Sequence, residues 1–113
     1  DRPVFLQDYP AAHAALARRQ PGNPNLAERW ELYLGGLELA NAYSELTDPV
    51  EQRRRFEATA ARRAAAGREV YPIDKAFLAA LAHLPPTAGC ALGVDRLLMA
   101  LLQVSDIADV RAE

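Results

Sequence analysis

An α+β fold is predicted from three observations. Polar and apolar residues alternate on both sides of Gly35-Gly36, helix start signals stand at Asp48 and Asp74, and the glycine-bounded apolar run TAGCALG leads straight into a third helix. With 113 residues, 50% of them apolar, the chain can bury the core of one domain and not of two. A formal charge of −2 and a pI near 5.7 argue against a protein that grips nucleic acid through an overall basic surface. Basic residues do gather locally, at Arg53, Arg54, Arg55, Arg62 and Arg63. Cys90 is the single cysteine, so no intrachain disulfide can form. No apolar run approaches the ~20 residues of a membrane span, and Asp1-Arg2-Pro3 does not open a signal peptide, so a soluble, cytoplasmic protein is expected.

Residues 3–10, PVFLQDYP, form an apolar and aromatic run bracketed by prolines, which reads as a buried strand ending in a turn. Residues 11–25 pass from Ala-rich to basic to GNPN and support a helical turn or two followed by a loop. From Arg29 to Tyr43, RWELYL and LELANAY flank Gly35-Gly36, a two-residue hairpin signal. Closing that turn at Leu34 and Leu37 puts Trp30, Leu32, Leu34, Leu37 and Leu39 on one face, and Arg29, Glu31, Tyr33 and Glu38 on the other. Asp48 reads as an N-cap, with Pro49 at the first helical position, Glu51 at the third and Gly67 as the stop. Rich in Ala, Arg and Glu, this helix is expected to be solvated, its arginines paired with neighbouring glutamates.

A second helix begins at Asp74 and runs through KAFLAALAHL to Pro85-Pro86, with Phe77, Leu78 and Leu81 as its buried stripe. TAGCALG reads as a buried strand that another group approaches closely, with Cys90 packed in the core. Gly93 opens the helix VDRLLMALLQ, apolar nearly all round and therefore expected to be buried. Ser105 restarts a short helical turn, SDIADV.

Three constellations could carry chemistry. Glu31 and Glu38 fall diagonally close on one hairpin face, where a divalent cation such as Mg²⁺ would relieve their repulsion; an exposed strand face balanced by Arg29 would explain them equally. Arg96 breaks a local rule, because a cation in the first turn of a helix meets the positive end of the macrodipole. In so apolar a helix it needs an anionic partner, either a phosphate chain or a carboxylate such as Asp95. Asn41, Tyr43 and Glu45 interrupt a continuing strand with side chains able to bind an ammonium or amide, or else form a turn with an exposed Glu. His13, His83 and Cys90 show no metal-ligand spacing.

Taken together, AERWELYLGGLELANAYSELTDPVEQRRRF and GCALGVDRLLM resemble lysyl-tRNA synthetases and their paralogues, the ligases that modify elongation factor P. That resemblance covers nearly the whole chain and implies the C-terminal half of a class II synthetase-like antiparallel sheet flanked by helices, with residues 1–113 as one part of a catalytic domain. It implies that Arg96 is the motif 3 arginine on the ATP phosphates and Gly93 the glycine beside the nucleotide. Glu31 and Glu38 match the Mg²⁺ and ATP carboxylates, while Asn41, Tyr43 and Glu45 match the pocket for the amino acid substrate. Ala91, where lysyl-tRNA synthetases have glycine, points to the elongation factor P ligases and to a pocket suited to (R)-β-lysine. Ala42, His13 and Trp30 stand where the family usually has glycine, glutamine and phenylalanine.

The implied activity is ATP-dependent formation of a lysyl- or β-lysyl-adenylate, followed by transfer to a lysine of elongation factor P, by a homodimer in the full-length protein. The alternatives are a true lysyl-tRNA synthetase, with tRNA as acceptor, and a non-catalytic synthetase-like binding module. Motifs 1 and 2 would lie before Asp1, so the chain is expected to be a fragment or a truncated paralogue. On its own it is expected to form no adenylate, and to leave part of the Trp30 and Leu32 face and the motif 3 helix uncovered.

Overall fold

The computed structural model describes residues 2–111. Five antiparallel strands and three α-helices make the α+β fold: β1 is Val4–Pro10, β2 Arg19–Gln20, β3 Asn23–Leu34, β4 Leu37–Ser44 and β5 Ala88–Leu92. The order across the sheet is β1-β3-β4-β5, with the short β2 also pairing with β3. Helices α1, Pro49–Ala65, and α2, Lys75–Leu81, connect β4 to β5, and α3, Val94–Leu102, follows β5 directly.

The hairpin forms as its turn chemistry requires. Gly35 and Gly36 take φ of 58° and 81°, the left-handed pair of a type I′ turn, and Leu34 faces Leu37. Its register then departs from simple alternation. Tyr33 pairs with Glu38 but Leu32 pairs with Ala40, so Leu39 is an extra residue in β4, a β-bulge. Beyond it Glu31 faces Asn41 and Arg29 faces Tyr43. Without the bulge Asn41 would share the Trp30 face; one inserted residue reverses that parity.

A second bulge lies in β3, where it pairs with β1. Gln7 faces Trp30 whereas Tyr9 faces Ala27, so Glu28 and Arg29 stand opposite the single residue Asp8, which takes φ 60°. Tyr9 is thereby turned to the face that Arg29 and Glu31 share.

Helix α1 runs as its caps dictate. The Asp48 side chain accepts from the Val50 and Glu51 amides at 2.8 and 3.2 Å. At the other end Gly67, φ 65°, closes a Schellman turn, its N–H reaching Ala64 O at 3.0 Å and that of Arg68 reaching Arg63 O at 2.9 Å. Of the helix arginines, Arg54 and Arg55 pair with a glutamate, Glu51, while Arg62 and Arg63 donate to the Thr59 hydroxyl and the Glu69 carbonyl, and the Arg55 side chain is buried rather than solvated. Its Nη1 donates to the carbonyls of Ala14 and Ala17 at 2.8 and 2.9 Å, fastening α1 to the segment before β2.

Glu51 is the common acceptor for this docking. Hydrogen bonds from Arg54, and then from Arg55 and Arg19, hold its carboxyl at about 2 against an ordinary 4.5, although burial opposes the shift. A depressed carboxyl stabilises the fold fully above its unfolded pKa, and loses that contribution as pH falls through the folded value. The Tm of the chain should therefore drop between pH 4.5 and about 2, and more steeply than in Glu51→Gln. Parallel Tm–pH curves for the two proteins would show that Glu51 carries no such coupling.

Several expectations about burial are corrected. In residues 11–25 the expected helical turn is the 3₁₀ turn Ala11–His13, but the expected loop supplies β2 and the start of β3. Neither β1 nor β5 is buried. Each lies at a sheet edge with one partner strand, leaving Phe5 59% and Leu92 50% exposed and Cys90 at the surface rather than in a core. Helix α3 buries only Met99, and Leu101 and Leu102 are more than 60% exposed, in keeping with the expected uncovered motif 3 helix. Helix α2 stops at Leu81, before the prolines; Leu78 and Leu81 are buried as expected, while Phe77 is exposed and meets Phe56 at 6.0 Å. The interior is small and alanine-rich: Ala14, Ala17 and Ala27 pack beneath Tyr43. Among the described residues no helix is long and apolar enough to cross a membrane.

Candidate functional site

The β4 bulge builds the site as well as the sheet. Two successive carbonyls at the bulge accept from the start of α3. Gly93 N–H donates to Leu39 O at 2.8 Å, and Arg96 Nη1 donates to Glu38 O at 3.0 Å. The Glu38 carboxylate stands 3.8 Å from the same Nη1. Arg96 therefore finds its anion in Glu38 and not in Asp95, which pairs with Arg111 at 3.5 Å. A Cβ added at Gly93 would meet the Arg96 Cδ at 3.4 Å, so the glycine leaves room for the arginine stem.

These residues line an open groove of about 520 Å³ that holds Glu38, Asn41, Ala91, Gly93 and Arg96 together. Ala91 belongs there because β5 pairs it directly with Asn41. The Arg96 side chain is 51% exposed, so its guanidinium is available to a ligand in the groove. Asn41 also lines a smaller neighbouring cavity of about 230 Å³ with His13, Arg29 and Tyr43, which joins Tyr43 to the site.

Arg29 fixes how Asn41 is presented. Its Nε donates to Asn41 Oδ1 at 3.0 Å, and because a guanidinium can only donate, the acceptor must be the oxygen. The amide NH₂ is left as the free end, a donor suited to a carboxylate or phosphate oxygen. Arg29 also donates to His13 O at 2.9 Å and stacks over the Tyr9 ring at 4.3 Å.

Glu31 is the buried anion of this face. It accepts hydrogen bonds from Tyr9, from Arg29, and from the Tyr33 hydroxyl at 2.6 Å. Burial alone would raise its pKa, but Tyr33, Tyr9 and the Arg29 charge outweigh burial and hold it below the usual carboxylate range. The Tyr9 hydroxyl is pushed well above its ordinary value by burial and by Glu31, so it stays a donor.

Glu45 is placed differently. The Ala17–Glu45 bridge and the Glu45 N–H bond to Thr87 O at 2.9 Å set its backbone beside β5, and its Oε1 lies 2.9 Å from where a Gly89 Cβ would stand. No basic side chain among the described residues pairs with this half-buried carboxylate. It is free to take an external ammonium, and any side chain at residue 89 would displace it.

For a hard cation the fit is unequal. The Glu38 carboxylate is open to the groove, whereas both Glu31 oxygens already accept from protein donors. Among the described residues no three His, Cys, Asp or Glu side chains converge, so a Mg²⁺ here would complete its shell with water and phosphate oxygens, as that ion prefers.

The site thus brings together Glu38, Asn41, Ala91, Gly93 and Arg96, sets Tyr43 and Glu45 beside them, and keeps Glu31 beneath in a cluster of its own. The sequence offered Arg29 as the balance for Glu31, and the two do pair; it showed neither the bond from Arg29 to Asn41 nor Tyr9, which needed the pairing of strands.

A family model described as tRNA synthetases class II (D, K and N) matches residues 1–112. The chain is similar to Lysine--tRNA ligase of Moorella thermoacetica, 48% identical over 110 residues, covering 96% of this chain and 22% of that protein. Lysine--tRNA ligase of Mycoplasma pneumoniae gives the same identity and coverage. Elongation factor P--(R)-beta-lysine ligase of Edwardsiella ictaluri is 49% identical over 113 residues, covering 99% of this chain and 35% of that protein. The chain therefore spans between about a fifth and about a third of the length of these relatives.

Proposed function

The chain belongs to the class II tRNA synthetases (D, K and N), and from that premise we propose that it supplies part of an ATP-dependent lysine- or β-lysine-activating site. One observation carries the reading. A single continuous face offers an exposed arginine, Arg96, at one end, and at the other an unpaired carboxylate, Glu45, with the outward amide of Asn41 between them. A zwitterionic substrate with a second ammonium matches this order of charges: Glu45 takes an ammonium, Asn41 donates to the carboxylate, and Arg96 receives the phosphates of ATP.

In the proposed reaction a carboxylate oxygen of the amino acid attacks the α-phosphorus of ATP, the bond to the β-phosphate oxygen breaks, and pyrophosphate leaves. Arg96, preset on Glu38 O, would meet the negative charge that develops on the phosphates without having to reorganise. Mg²⁺ brought in on ATP would supply further neutralisation, with Glu38 as its open protein ligand. Glu31 would enter its shell only if Arg29 or a tyrosine moved away. Tyr43 walls the substrate cavity, and Gly93 keeps the nucleotide side of the groove clear.

We take a lysine of elongation factor P as the acceptor, on the strength of Ala91 opposite Asn41. The second reading, with tRNA as acceptor, draws on the 48% identity to Lysine--tRNA ligases. The deciding assay is pyrophosphate exchange by the full-length protein that carries this chain, with lysine and (R)-β-lysine in parallel, followed by transfer to elongation factor P or to tRNA. Exchange with neither amino acid would sink the ligase reading in favour of a non-catalytic binding module.

Replacing Ala91 by glycine tests substrate choice. The substitution removes one methyl beside Asn41 and should move the ratio of kcat/KM values from β-lysine toward lysine by about tenfold, the usual discrimination available from one methyl group. An unchanged ratio, with both amino acids in one assay, would remove Ala91 as a reason to prefer the elongation factor P acceptor.

A further inference from the structure

A second groove, of about 510 Å³, lies between α1 and the segment leading into β3, and four arginines line it: Arg19, Arg54, Arg55 and Arg62. It shares no lining residue with the Arg96 groove. Three of these cations use one anion. Arg54 grips Glu51 through Nε and Nη2 at 2.8 and 2.9 Å, Arg55 Nε reaches it at 2.9 Å, and Arg19 Nη2 at 3.0 Å. Arg62 meets only the Thr59 hydroxyl, at 3.2 Å, and has no acidic partner among the described residues. Four guanidinium groups against one carboxylate leave a formal surplus of three positive charges.

A second, independent observation marks the floor of this groove. The Arg55 side chain is only 9% exposed, and although its Nε and Nη1 are satisfied, its Nη2 is buried with no hydrogen-bond partner among the described residues. A buried cationic donor left unpaired is costly, and the natural remedy is an acceptor from outside. Room for one exists on the helix itself. Arg54, Ala58 and Arg62 follow one another at intervals of four on one stripe, so the alanine leaves a gap flanked by two arginines.

We propose that this groove binds a phosphate oxyanion, presented by an RNA backbone or as free phosphate. Arg54 and Arg62 hold it from the rim, and Arg55 meets it from below by turning outward its Nη2, which is closed to solvent in this structure. Phosphate is favoured over an acidic side chain because it offers several acceptor oxygens to forks that converge from different directions, which matches the pairing geometry of arginine. Glu51 already shows what one carboxylate can do here: it engages three arginines and still leaves Nη2 without a partner.

The test uses the full-length protein in an Arg96→Ala background, so that phosphate held at Arg96 is absent from the readout. Inorganic phosphate is titrated by calorimetry, and a short RNA duplex by fluorescence anisotropy over a range of salt, against Arg54→Gln/Arg62→Gln and, separately, Ala58→Glu. Both variants change exposed helix positions, and Ala58→Glu fills the gap without removing an arginine. Phosphate binding should weaken by at least about tenfold in each, as for the loss of a charge-assisted hydrogen bond. If RNA is the source, the salt slope of the double variant should also fall, by about 0.7–0.9 for each phosphate no longer neutralised. Loss of phosphate binding with an unchanged RNA slope would identify free phosphate as the ligand. Binding of phosphate and RNA that neither variant alters would overturn the proposal. So would a poly-glutamate peptide that competes as well as phosphate does, since the groove would then serve an acidic protein. Pyrophosphate exchange measured without the Arg96 change should be unaffected by either variant, which separates failure here from failure of the ligase reading.

Discussion

Arg96→Ala in the full-length protein should lower the rate of amino-acid-dependent pyrophosphate exchange by about 10²–10³, the loss typical of removing one preorganised donor from a developing charge. The size follows from how the arginine is held. Nη1 is anchored on Glu38 O at 3.0 Å, which fixes the direction of the guanidinium before a ligand arrives, and half of the side chain is open to the groove. Arg96→Lys should recover only part of the rate, because an ammonium keeps the charge and loses the planar fork. Since the side chain is exposed, the variant should keep its fold, so a parallel Tm measurement separates lost chemistry from lost structure. An exchange rate for Arg96→Ala that matches the parent protein would remove Arg96 from the phosphate site and return its charge to a plain ion pair with Glu38.

The second large effect is expected at Glu45. Glu45→Gln keeps the shape of the side chain against Gly89 and deletes its charge, so an ammonium bound there would be left without its partner. Truncating one side of a desolvated charge pair costs about 2–5 kcal/mol, which corresponds to a fall in kcat/KM for lysine or β-lysine of about 30-fold or more. The KM for ATP should not change, because Glu45 does not line the groove that holds Arg96 and Glu38. An equal rise in both KM values, or no rise in either, would mean that Glu45 does not read the ammonium. Gly89→Val should mimic the defect by a different route. Its side chain would need the space occupied by the Glu45 carboxylate, 2.9 Å from the added Cβ.

What the sequence alone could settle was whatever local chemistry decides. The Asp48 cap, the Gly67 stop and the Gly35-Gly36 turn each depend on a few adjacent residues, and each stands where their backbone preferences place it. The oddity of Arg96 was legible for the same reason, as a cation in the wrong turn of an apolar helix. Its partner was not, because Glu38 is separated from it by 58 positions. Burial of β1, β5 and α3 was misjudged because apolarity records what a segment would bury, whereas the sheet order determines what covers it. The two outer strands have one partner each, and α3 meets little else within the described residues.

The disposition of the site residues was decided by tertiary structure alone. Strict alternation from the turn would have sent Asn41 to the Trp30 face; one extra residue, Leu39, turns it toward Glu31 and Ala91 instead, and the register shift of β3 opposite Asp8 brings Tyr9 to Glu31. No propensity marks the Leu39 insertion. At the β4 bulge the carbonyls of Leu39 and Glu38 are bonded by groups distant in sequence, the Gly93 amide and the Arg96 guanidinium. The sequence therefore determined which residues are on offer for the proposed chemistry, and the pairing of strands decided which of them face one another, because a side-chain period of two makes the outcome of a whole strand depend on a single inserted residue.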